Sequence, residues 1–201
     1  MRLANVALLA SVSILAPLAM ADQGGSDSKV ESQTCQTAVK RFIQEPNARN
    51  YAAIPKPGDD RCWSALSVEQ WQGLDHLTID GNLSAARLLA PQVHRLDGGE
   101  LEDALRALGQ FATHHMNDFL TFSASGALTD HESTDALTML PLDLEDDFDA
   151  QLKEMRARRK AVEQSNVPQS QKRKRAAIAS IDRFIADIER ARSSVKPYKA
   201  Q

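Results

Sequence analysis

The first place to look for chemistry is His114-His115-Met116-Asn117-Asp118. His114 and Asp118 are four positions apart, so on a helix an imidazole and a carboxylate share one face, a spacing that holds two ligands of a zinc ion. Asp130-His131-Glu132 offers a third donor, and a small metal-dependent hydrolase centred on His114, His115 and Asp118 is the activity such a set would support. A metal site needs three or four converging ligands, and nothing in the sequence fixes the approach of the second cluster to the first. Surface or capping histidines are therefore the simpler reading, and no metal or other cofactor is expected.

The acidic string Asp143-Leu144-Glu145-Asp146-Asp147-Phe148-Asp149 has the charge of a calcium loop but lacks its central glycine and spaced terminal glutamate. It reads instead as a helix start, where carboxylates complement the helix dipole. There is no Gly-x-Ser-x-Gly elbow and no phosphate-cradling glycine loop. Paired carboxylates for glycoside cleavage depend on a separation that sequence does not give. The expectation is a protein that is not an enzyme.

The only cysteines, Cys35 and Cys62, are not spaced as a redox pair and point to a disulfide. Closing a loop of about 28 residues is worth about 3.5 kcal/mol in the chain-entropy model. An oxidising destination also follows from the first 21 residues. Arg2 precedes an apolar run, broken by Asn5, Ser11, Ser13 and Pro17, that ends in Ala19-Met20-Ala21, the pattern of a secretory signal peptide cut near Ala21. That predicts a periplasmic or secreted protein.

A basic cluster is the remaining candidate. Lys172-Arg173-Lys174-Arg175 faces Arg156, Arg158, Arg159 and Lys160 across a turn, a cationic tip suited to anionic membrane lipid. Nucleic acid is not expected as a partner, because interleaved aromatics are missing and export argues against it.

The elements that would position these groups are helical. Leu and Ala are abundant, aromatic residues make up 5% of the chain, and β-branched alternation is nearly absent. Residues 22–29 read as a flexible lead-in, with order from Val30, and residues 30–141 as a helical domain that holds the disulfide. Ser67 caps a short helix with Val68, Trp71 and Leu74. Residues 82–112 read as two short helices closed by Gly98-Gly99, followed by a helix from Thr113 to Ser123 and another from Glu132 to Leu140. Over some 60 residues this run resembles a HEAT-type α-solenoid fragment, which implies a flat or concave binding surface.

Residues 142–195 read as a long amphipathic hairpin ahead of a tail at 196–201. Phe148, Leu152, Met155, Arg159 and Val162 line one seam, and Ala177, Ile181, Phe184 and Ile188 line the other. Asp143 is the expected cap, Glu154/Arg158 an outer-face pair, and Arg159 a seam charge marking an edge or a partner contact.

Charge is divided along the chain. Residues 22–152 hold 9 basic and 22 acidic side chains, whereas residues 153–201 hold 14 basic and 5 acidic. With no catalytic constellation and an acidic body able to steer a basic partner, the expected role is protein binding, as an immunity-like inhibitor of an envelope-targeting toxin or an envelope accessory factor. The alternative is a cell-envelope surface binder that uses the basic hairpin tip.

Overall fold

The computed structural model describes residues 24–55 and 60–194; the signal-peptide and C-terminal tail assignments lie outside the described residues. All regular structure among these residues is helical. Helix α1 spans Gly24–Gln44, so it starts before the Val30 expected from composition. Pro46 follows its end, and Asn47 then caps the short α2, Ala48–Ala52, by accepting from the Asn50 backbone N–H at 2.9 Å. Helix α3, Asp60–Trp63, is held to α1 by the Cys35–Cys62 disulfide, whose Cα atoms lie 5.3 Å apart.

Helix α4, Val68–Ile79, opens on a capping box between Ser67 and Gln70. It closes in a Schellman motif. Asn82 N–H reaches Leu77 O at 2.9 Å and Gly81 N–H reaches Thr78 O at 3.0 Å. Gly81 supplies the left-handed residue, with φ of 84°, and a Cβ there would also stand 2.8 Å from His115 Nε2. Asn82 at once caps α5, Leu83–Leu89, which tightens into a 3₁₀ turn over Ala90–Arg95.

The 25-residue α6, Gly98–Phe122, is the central element. Two helices meeting near Thr113 were expected here; one continuous helix is found, kinked at His115 (φ −127°, ψ 42°). The Thr113 hydroxyl does not cap a new helix but bonds back to Gly109 O at 3.2 Å and to Glu154, and the buried stripe Leu108, Phe111, Ala112, Met116, Phe119 and Leu120 runs through the expected break. The helix unwinds through a wide π-type turn at Ser123–Ala127, where Gly126 has φ of 93°. The short-pair picture thus fits loosely, inside a fold whose all-α class is as expected.

Helix α7, Asp130–Thr138, starts before the expected Glu132 because Thr129 and Glu132 form a capping box. Asp147, not Asp143, caps α8, Phe148–Gln164, by accepting from the backbone N–H groups of Asp149 and Ala150, each at 3.0 Å; Asp143 sits in a preceding 3₁₀ turn. After Pro168–Ser170 the chain reverses into α9, Gln171–Ser194. The bridges Asp149–Arg192, Arg156–Glu189 and Arg159–Asp182 run in opposite order along α8 and α9, so the pair is antiparallel.

One apolar core reaches from Cys35 to Ile188 and joins the hairpin to the remaining helices. Of the Glu154/Arg158 pair expected on the outer face, Arg158 lies inside it and Glu154 is half-buried at its margin. Arg158 has no exposed surface. Its Nε reaches Glu154 at 2.8 Å and Thr113 Oγ1 at 3.1 Å, while Nη1 donates to the carbonyls of Ala136, Leu137 and Met139 at 3.3, 3.2 and 2.8 Å. One guanidinium therefore ties α8 to α6 and satisfies the open carbonyl end of α7. Gly109 makes room for it: a Cβ there would fall 2.2 Å from Ala136 O and 2.8 Å from Arg158 Nη1.

Candidate functional site

The histidine motif is placed on α6 around its kink. His114 is exposed, Asp118 is half-buried, and His115 stacks on Phe111 with ring centroids 4.8 Å apart. The second cluster is engaged elsewhere. Asp130 takes Arg173 at 2.7 Å and Lys172 at 3.2 Å, His131 Nδ1 sits 2.9 Å from Asp135, and Glu132 belongs to the α7 capping box. Among the described residues no three His, Cys, Asp or Glu side chains converge as a metal site.

The basic run does lie at the hairpin turn, but several of its charges are met within the molecule. Lys172 and Arg173 share Asp130, whose carboxyl they hold below the usual carboxylate range, and Lys174 donates to the carbonyls of Ser165 at 2.6 Å and Glu163 at 3.3 Å, at the end of α8. Arg159 spans Asp182 at 2.5 Å and Glu163 at 2.6 Å, so the seam charge stitches α8 to α9. Arg175 is exposed. No described helix is long and apolar enough to cross a membrane.

A different site emerges between α4 and α6. Trp71 and Asp75 lie four residues apart on α4 and Glu100 and Asp103 three apart on α6; Trp71 and Glu100 line one cavity beside the packed helix pair, and Asp75 and Asp103 line a second. At one end, a cavity of about 710 Å³ is lined by Trp63, Trp71, Gln92 and Glu100 together with the basic His94 and Arg95. Trp63 Nε1 and both amide atoms of the fully buried Gln92 have no hydrogen-bond partner among the described residues. The two indoles pack at 6.1 Å between centroids.

At the other end, a cavity of about 520 Å³ is lined by Asp75, Ile79, Asp103, Arg106 and Leu142. Asp75 is 9% exposed, and its Oδ1 is buried without a partner among the described residues. Burial pushes the Asp75 carboxyl up to about 7, and the neighbouring charges of Asp103 and Glu100 add to the rise. The arginine that lines the same cavity does not relieve it. Arg106 turns Nη1 to Asp103 at 3.0 Å and Nε to Leu140 O at 3.0 Å. Beside these carboxylates Ile79 and Leu142 stand 37% and 58% exposed.

An acidic groove with an apolar lip can bind a cation that carries an alkyl stem, because the stem covers the lip while the charge meets the carboxylates. Sequence reading missed Asp75, Glu100, Asp103 and Gln92 as site residues. Asp75 left one usable signal: it sits next to Leu74 and four residues after Trp71, a carboxylate on the apolar face of its own helix. No protein-family model matches this chain, and comparison with curated proteins and with solved structures gives no match either.

Proposed function

We propose that this is an exported, non-catalytic helical protein that binds another protein, with the α4–α6 groove receiving a basic segment of that partner. The observation that carries the reading is the gathering of Asp75, Asp103 and Glu100, the innermost unpaired, beside exposed Ile79 and Leu142. Opposite charge on a partner would steer encounter, and burial of the apolar lip would hold the complex. Within that class the roles that fit are an immunity-like inhibitor of an envelope-targeting toxin and an envelope accessory factor. Periplasmic or secreted localisation, after a cut near Ala21, belongs to the same proposal.

Cross-linking in the envelope fraction tests it, with the wild type compared with the double variant Glu100→Gln/Asp103→Asn. The expected result is a basic protein captured by the wild type, released by salt, and recovered at least tenfold less with the variant. A partner retained equally by both would overturn the groove. Binding to anionic vesicles that disappears when Lys172, Arg173, Lys174 and Arg175 are neutralised would replace this reading with the surface binder.

A further inference from the structure

We infer that Asp75 is the seat of one lysine or arginine side chain supplied by the partner, and that this cation takes the place of a proton when it binds. The inference rests on the reading of the groove as the binding face and names the group it recognises.

Asp75 lines a cavity open to solvent, yet its inner oxygen makes no hydrogen bond among the described residues. A buried carboxylate in that position must either hold a proton or meet a cation. The charged groups around the cavity decide which. Across it stand Asp103 and Arg106 of α6 and Asp143 of the turn after α7; Glu100 lies one turn earlier on α6, and His76 is beside Asp75 on α4. Arg106 is engaged by Asp103 and by Leu140 O, so the free molecule leaves Asp75 among carboxylates. The proton is thus held only for want of a better cation, and the group titrates near 7.

The chemistry of the walls selects an organic cation over a metal ion. No three carboxylate or imidazole ligands converge at Asp75, which leaves a metal ion short of donors. Ile79 and Leu142 at the mouth match the methylene stem of lysine or arginine, which packs on apolar surface while its charged head reaches the carboxylate. On binding, Asp75 loses its proton to water and its carboxylate accepts hydrogen bonds from the ammonium or guanidinium; no covalent bond changes.

Proton release makes affinity depend on pH in a defined way. With a midpoint near 7, the ionised fraction of Asp75 rises about tenfold between pH 6 and pH 8, and affinity should rise by the same factor. The test titrates the full chain with pentalysine blocked at both ends, so that no peptide terminus titrates in this range, and follows the Asp75 carboxyl by carbon NMR. Saturation should lower its midpoint by about two pH units or more, the shift that a tenfold change between pH 6 and pH 8 requires. Asp75→Asn should remove the tenfold pH dependence and leave weak, salt-sensitive binding to Glu100 and Asp103. Asp103→Asn, which relieves the repulsion on Asp75, should move the affinity profile to lower pH.

Pentalysine acetylated on its side chains should not bind, and calcium at equal charge should not shift the Asp75 midpoint. An unchanged midpoint at saturation, or a pH dependence that survives in Asp75→Asn, overturns the inference. If an acid-groove partner is captured without proton linkage, the functional reading stands and this one falls. If pentalysine binds with linkage but the envelope yields no partner, Asp75 remains a cation seat and the functional reading falls.

Discussion

The acidic groove between α4 and α6 and the basic end of the α8–α9 hairpin differ less in amount of charge than in how it is held. At the hairpin, Lys172 and Arg173 meet Asp130, Lys174 meets the last carbonyls of α8, and Arg159 meets Asp182 and Glu163. In the groove, Asp75 meets nothing of opposite charge among the described residues, and its two neighbouring carboxylates make matters worse. A run of like charge in sequence is therefore a poor guide to a binding surface: what matters is which charges the fold leaves unanswered.

The comparison breaks most visibly inside the hairpin. Arg158→Ala removes the one guanidinium that α6, α7 and α8 share, strips three backbone carbonyls of their donor and leaves Glu154 with the Thr113 hydroxyl alone. A loss of about 3–5 kcal/mol is expected in urea denaturation. If the loss is no larger than that of an exposed arginine such as Arg156, the buried network is not what anchors the hairpin.

A smaller effect of opposite sign should appear in the groove. Because the folded-state midpoint of Asp75 lies above that of the unfolded chain, the folded form keeps a proton that the unfolded form sheds, and the carboxyl costs stability as pH rises from about 4 to about 7. Asp75→Asn should thus stabilise the protein by about 2–4 kcal/mol at pH 8, with the gain fading below about pH 4. A variant no more stable than wild type at pH 8 would mean that Asp75 is not strained. At the tip, Asp130→Asn frees Lys172 in water and leaves Arg173, whose side chain is 19% exposed, without its carboxylate, and denaturation curves should move only slightly from those of the wild type. A clear loss would show that this tip is held more firmly than exposed ion pairs usually are.

Much of the architecture was legible because it rests on local rules. Ser67 caps α4, the two cysteines pair, and the 4-3 spacing of Leu152, Met155 and Val162 against Ala177, Ile181 and Ile188 sets the antiparallel seam. Misreadings arose where a side chain answers to a distant element. Thr113 looked like a helix start but serves Glu154, 41 residues away. Arg158 and Arg159 are neighbours in sequence, yet the first is sealed in the core while the second spans the seam, because three carbonyls of α7 and its end point at one and an aspartate of α9 at the other. The groove was illegible for the same reason: Asp75 acquires its character from burial against another helix, to which Asp103 and Glu100 on that helix add their charge.

The sulfur bridge between α1 and α3 has a further bearing on how the chain withstands a protease. Every residue from Gln36 to Arg61 lies within the covalent ring it closes, including the proline-rich stretch 46–57. A protease that nicks this stretch once does not release α1; both pieces stay joined and migrate as one species until a reductant is added. The segment most open to cleavage by composition is thus also the one whose cleavage the molecule can tolerate without falling apart.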